Sequence, residues 1–257
     1  MSALRMATHQ FRYDQRIFWR TPAAVFFTVM LPVIFLLIFA SIFGNEQLPP
    51  PLSISTSVYY VPGIITLAIV SATLVANAMR VVEARESGRL KRLRSTPMEP
   101  STYILARIGQ SLVLSILMLV FVSLIGRILY DVPIPTTTIP ALLVTVAVGT
   151  FAFSAMGFAL TAVIPNEDAA PAITNATVLP LYFLSGVFIP ETELPDGVLA
   201  FADIFPIRHF FQAFLEAYNP NTVGAGFDWG NLAIVVAWGL VAMAIALKTF
   251  RWAPKEG

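Results

Sequence analysis

Six stretches of this 257-residue chain, approximately residues 23–43, 60–79, 104–125, 139–164, 169–189 and 231–248, are apolar over about the twenty residues a helix needs to cross a bilayer. Hydrocarbon offers no water to a backbone N–H or C=O, so such runs fold as helices that close their hydrogen bonds internally. The expectation is an all-α membrane protein: six transmembrane helices in a single domain over residues 1–257. Composition agrees. At 57% hydrophobic and 12% charged, with a mean hydropathy of +0.76, the chain is no ordinary soluble domain. The first run follows a long basic segment and is itself of spanning length, so it is expected to stay in the membrane rather than be cleaved. There is no cysteine, which excludes disulfides, thiolate metal sites and cysteine nucleophiles.

Net charge is only +1, but the charges are segregated. Fourteen of the sixteen lysines and arginines lie before the first run, between Arg80 and Arg107, or from Lys248 onward; only Arg127 and Arg208 fall on the other side. Basic residues mark the cytoplasmic side, so both termini and the segment 82–102 are expected there, in the plasma membrane. Residues 1–21 carry Leu4, Phe11 and Phe18 on one helical face and Arg5, Arg12 and Arg16 on another. That pattern predicts an amphipathic interfacial helix in contact with membrane lipid, anchored by Trp19.

Segment 82–102 is the most charged part of the chain. A helix descending from the second run is expected to stop at Gly88, which takes a left-handed backbone at low cost. A second helix of about two turns follows, with Leu90 and Leu93 on one face among Arg89, Lys91, Arg92 and Arg94. Thr96-Pro97 ends it, because the residue before proline is pushed out of the helical region. Such a knuckle is shaped to dock on a partner; the alternative is a basic loop that only fixes topology and touches anionic lipid.

Other connections say less. The turn Pro165-Asn166-Glu167-Asp168 places an acidic pair to cap the helix that follows. Thr150, Ser154, Gly157 and Thr161 put small residues on one face of the fourth run, for close packing in lipid. The fifth run, with Pro171, Pro180 and Ser185-Gly186 before Pro190, is not expected to run straight. Residues 191–230 are too apolar for a solvated loop, and 197–205 with 207–218 are expected as short re-entrant helices in the outer leaflet, the second striped by Phe210, Phe211, Phe214 and Leu215.

The order Arg85-Glu86-x-Gly88-x-Leu90-x-x-Leu93-Arg94-x-Thr96-Pro97 resembles the coupling loop of permease subunits of ATP-binding-cassette transporters, in the type-2 export family of drug, antibiotic and polysaccharide exporters. Leu184-Ser185-Gly186-Val187-Phe188-x-Pro190, Leu194-Pro195 and Phe205-Pro206 are similar to that family's segment around its fifth span, although Ile207-Arg208-His209 departs from its common pattern. The resemblance implies a non-catalytic subunit that works as a dimer, with itself or a related permease, above two cassette ATPase subunits that bind ATP and Mg. It places coupling to the ATPase on Arg85, Glu86, Gly88, Arg89, Leu90, Arg92, Leu93, Arg94, Thr96 and Pro97. It also implies that the second and fifth spans line the substrate pathway.

Elimination points the same way. None of the three lysines, Lys91, Lys248 and Lys255, follows a glycine, so no Walker-type phosphate loop exists on this chain and no cofactor is expected on it. All fifteen acidic residues and both histidines lie outside the apolar cores, unlike the intramembrane carboxylates of ion-coupled carriers. Neither His209 with Glu216 nor Glu191, Glu193 and Asp196 has catalytic or ligand spacing, and no nucleic-acid partner is expected. The pathway candidates are Thr66, Thr73 and Asn77 on the second run and Thr174, Asn175, Thr177 and Ser185 on the fifth; the alternative is that these are packing polars bonded to nearby backbone. Mild polarity between apolar walls suits an amphipathic or lipidic solute. Two other readings stay open: a non-transporting membrane assembly factor, and an ion-coupled secondary transporter.

Overall fold

The computed structural model of the chain describes residues 3–43, 46–50, 52–95 and 99–251. Apart from one isolated bridge between Gln47 and Ser55, the described residues hold helices and connections only. In chain order these are α1 (Ala3–Trp19), α2 (Pro22–Phe43), α3 (Thr56–Val70), a π-helical turn (Ser71–Val75), α4 (Ala76–Glu86), α5 (Arg89–Arg94), α6 (Pro100–Tyr130), α7 (Ile139–Leu160), α8 (Ala169–Leu184), a 3-10 turn (Glu191–Glu193), α9 (Asp196–Ala202), α10 (Pro206–Tyr218) and α11 (Trp229–Thr249). The ends follow local chemistry. Ser55 caps α3 through its Oγ, Asp228 caps α11 by accepting from the Asn231 N–H, and Pro100 and Pro206 sit where a missing N–H costs nothing.

Among the described residues four helices are long and apolar enough to cross a membrane: 56–86, 100–130, 139–160 and 229–249. The α9–α10 pair, bent by 99°, makes a fifth if counted as one. The expected run at 23–43 forms α2, 22 residues of largely apolar helix, whereas that at 169–189 yields only the 16 residues of α8, shorter than a span. In α8 the reason is plain: the helix stops at Leu184, and Gly186 takes a positive φ of 86° that turns the chain away. Among the described residues the count by length and composition is four, or five with the bent pair.

The rod 56–86 is the most deeply buried of these helices. Its 31 residues extend about 46 Å, well beyond a bilayer core of about 30 Å, so one end projects past the hydrocarbon. Neighbours approach it through small residues. Gly126 of α6 receives Val61, and a Cβ on Gly157 of α7 would stand 2.5 Å from the Leu74 carbonyl oxygen. Ser154 and Thr150 of that same α7 face are buried and bonded to neighbouring helices. Along the rest of α7, Gly239 of α11 backs onto Ala152, and the Phe210 ring occupies the space a side chain at Gly149 would need.

At the Gly186 end the rod is held by its tyrosines. The Tyr59 hydroxyl donates to the Gly186 carbonyl at 2.5 Å and Tyr60 to that of Phe188 at 3.2 Å. Phe39, Tyr60 and Phe188 stack beside them. Helix α10 buries Ile207, Phe210, Phe211, Phe214 and Leu215 against this layer, so the expected aromatic stripe faces the protein's own core.

Because Gly157 meets backbone rather than a movable side chain, Gly157→Ala is expected to destabilise the protein by about 1–3 kcal/mol. Gly197, with open space around it, serves as the control. A lowered thermal unfolding midpoint in detergent for Gly157→Ala, with Gly197→Ala unchanged, is the expected result.

Candidate functional site

At the projecting end of the rod, α4 closes at Glu86 and Gly88 takes φ 69°, as its place in the sequence requires. Nothing lies within 4 Å of where its Cβ would stand, so the demand there is on backbone conformation, not on space. The chain then turns into α5, six residues long. Leu90 is fully buried in a cluster with Val81, Ala84, Tyr103, Ile104, Phe158 and Ala246, and Leu93 packs against its edge. The two-leucine face therefore looks into the protein, because four helices end there with apolar side chains uncovered. What α5 presents outward is cationic: Lys91, Arg92 and Arg94 are exposed. Arg89 reaches back to Glu83 at 2.7 Å. Thr96 and Pro97 lie outside the described residues.

Arg85, one residue before the end of α4, is buried. Its Nη2 donates to the carbonyls of Ile164 at 2.9 Å and Pro165 at 3.0 Å, its Nη1 to that of Thr161 at 3.3 Å, and its Nε to Glu86 Oε1 at 3.1 Å. These carbonyls follow the last turn of α7, where a cation meets both unpaired acceptors and the negative end of the helix dipole. The turn beyond, expected to cap α8 with Glu167 or Asp168, does so otherwise. The Ala169 N–H donates to Asn166 Oδ1 at 2.9 Å, and the side chain of Asp168 makes no cap bond. An amide in the right register displaces the carboxylates, which stay exposed.

Helix α1 lies against α6. Phe18 is buried with the Arg80 guanidinium 5.4 Å above its ring, and the Phe11 ring sits at Gly109. Arg12, Tyr13, Arg16, Trp19 and Arg20 are exposed.

The pathway candidates separate into two groups. Thr66, Thr73 and Asn77 are all buried within the protein. Thr73 Oγ1 donates to the Ile69 carbonyl at 2.6 Å, and Asn77 Nδ2 donates to Ser111 Oγ at 3.0 Å and Ser154 Oγ at 3.2 Å. Thr66 Oγ1 is buried without a hydrogen-bond partner. On α8, Thr174 is buried and bonded to the Ala170 carbonyl, and Ser185 donates to that of Tyr182. Asn175 and Thr177 are exposed.

The opposite end holds a polar network that sequence reasoning missed. Arg208 is buried between Asp203 at 2.6 Å and Glu191 at 3.2 Å, while His209 touches Asn231 Oδ1 at 2.5 Å and the Asp203 carbonyl at 2.8 Å. His209 therefore does not pair with Glu216. A cavity of about 430 Å³ opens beside this network, lined by Tyr59, Glu191, Gln212, Glu216, Asp228 and Asn231 among others. The signal available was the isolation of Arg208 among acidic residues in an apolar segment, where a cation needs partners. No group of histidines and carboxylates able to hold a metal occurs among the described residues.

A family model described as ABC-2 type transporter matches residues 10–219. The chain belongs to that family. It is an ABC-2 permease subunit, a multi-pass membrane protein. It is similar to the putative transport permease YvfS of Bacillus subtilis, 22% identical over 86% of this chain and 87% of the relative. It is similar also to the daunorubicin resistance ABC transporter permease protein DrrB1 of Streptomyces coeruleorubidus, 29% identical over 92% of this chain and 81% of the relative. The putative transport permease ycf38 of Porphyra purpurea is 23% identical over 89% of this chain and 79% of its own length.

The burial of the permease's Leu90 and the exposure of its Arg92 separate two roles within α5. Leu90→Ala is expected to cost about 2–5 kcal/mol through lost burial and a cavity. Arg92→Ala is expected to fall within about 0.5 kcal/mol of the parent. Thermal unfolding of the two variants in one detergent checks this.

Proposed function

We propose that this permease forms the membrane path of an exporter powered by two separate cassette ATPase subunits, which bind the ATP and Mg that this chain has no loop to hold. Two copies, or this chain and a related permease, enclose the path. Six helices cross the plasma membrane, with the α2 and α8 segments completing the count, α9–α10 folding back into the outer leaflet, and both termini in the cytoplasm. Membrane lipid covers the exposed apolar sides and meets the arginines of α1.

The observation that carries this reading is the geometry of α5: an exposed cationic surface seated on a leucine buried in the protein. Charge turned outward on a fixed mount serves recognition by another macromolecule, since exposed charge does little for the fold itself. The cargo pathway follows α8, where Asn175 and Thr177 stand exposed among apolar residues; a lipid-facing amide is costly, so this face belongs against a second protomer or a solute. Thr66, Thr73, Asn77, Thr174 and Ser185 support those helices from within. Apolar walls with few polar groups fit an amphipathic or lipidic cargo such as a drug, antibiotic, lipid or glycan, and one relative is named for daunorubicin resistance.

The test is copurification with a cassette ATPase coexpressed with the permease. Arg92→Glu with Arg94→Glu is expected to lower the recovered ATPase by about tenfold or more, as like-charge contact replaces attraction, while the unfolding midpoint stays put. Stoichiometric ATPase on the double variant would rule out α5 as the docking surface.

A further inference from the structure

We infer that Arg85 is a positioning residue: it joins the α4–α5 knuckle to the end of α7 and the start of α8, so that both cytoplasmic connections move as one body when the ATPase pushes. The inference rests on the export reading above and assigns Arg85 an inward task in place of contact with the ATPase.

The geometry is specific. Four of the five guanidinium N–H groups have acceptors, three of them carbonyls of residues 161–165 and one the Glu86 carboxylate. The side chain is 3% exposed and Glu86 23%, so no large face is left for a partner. Ala78, Val82, Ile164 and Ala170 pack together beneath, and Leu90 locks α5 into Phe158 of α7. A force on Arg92 therefore meets a short helix that cannot swing about Gly88 without leaving Phe158. It also cannot lift α4 without breaking the Arg85 bonds at residues 161–165. The displacement is passed to α7 and, through the turn capped by Asn166, to α8, whose exposed Asn175 lies along the proposed pathway.

The chain has no cysteine, so a nitroxide pair can be placed by Ser95→Cys and Glu167→Cys, both exposed, in the complex with its ATPase in nanodiscs. In the Arg85 parent the Ser95–Glu167 distance is expected to stay within about 2 Å between nucleotide-free and ATP-trapped states. In Arg85→Gln it is expected to lengthen or broaden on trapping, and transport per ATP hydrolysed is expected to fall about tenfold with the ATPase still bound. Arg85→Lys, which keeps charge but not the fork, is expected to lie between. A parent pair that moves apart on ATP trapping would overturn the inference, whether or not Arg85→Gln folds. An Arg85→Gln complex with a rigid pair and unchanged coupling would overturn it too. A parent complex without ATP-driven transport would bring down the export reading itself, a different result from a parent that transports with an indifferent Arg85.

Discussion

Lipid supplies no hydrogen-bond partner, so polar groups at the centre of this molecule bond within the chain, with Thr66 Oγ1 and Ser57 Oγ the exceptions on the 56–86 rod. The 56–86 rod shows how this is met. Tyr59 and Tyr60 serve carbonyls of the turn at Gly186 and Phe188. Thr73 bonds its own preceding turn, and Asn77 draws hydroxyls from α6 and α7. Within the π-helical turn, Ser71 Oγ lies 3.1 Å from the Tyr182 hydroxyl, which itself donates to the Leu67 carbonyl. The wider turn leaves the ladder locally irregular, and a side chain from α8 fills the gap. Each bond also specifies a neighbour, so satisfying the rod's polar groups fixes which helices surround it.

The same logic operates at the rod's projecting end with charge in place of hydroxyls. A buried guanidinium is costly unless its donors are used, and Arg85 uses the carbonyls that α7 leaves open as it ends. Leu90 supplies the apolar half of the joint. What remains outward is a compact cationic surface on a rigid mount. At the other end Arg208 is likewise buried, between Asp203 and Glu191, so each end of the permease has a buried arginine tying its elements together.

Much of this was legible in the chain. Runs of spanning length, the stop at Gly88, the amphipathic first helix and the break after Leu184 each follow from local rules that depend on a few adjacent residues. Facing is another matter. Leu90 and Leu93 share one side of α5 by spacing alone, but whether that side meets a partner or the protein's own core depends on Phe158 and Ala246, far away in sequence. The targets of Arg85 were hidden for the same reason. Ser71 to Val75 carries no composition that marks a π-helical turn, so an α-helical count from Thr66 to Asn77 had no cause to change register. Asn166 outcompeted two carboxylates for the start of α8 through position, which a count of charges does not weigh. The candidate pathway divides along the same line: its polar residues were visible, but not which of them the rod would enclose.

On the proposed reading, the cationic knuckle receives force from an ATPase supplied by another chain. Site-directed crosslinking tests it most directly: a photoreactive group at Ser95, at the exposed end of α5, activated in intact cells that express both proteins. The account predicts a covalent adduct between this permease and the cassette ATPase, formed from position 95 and absent from a control position such as Val223, exposed at the opposite end. An adduct from Val223 and none from Ser95 would contradict it.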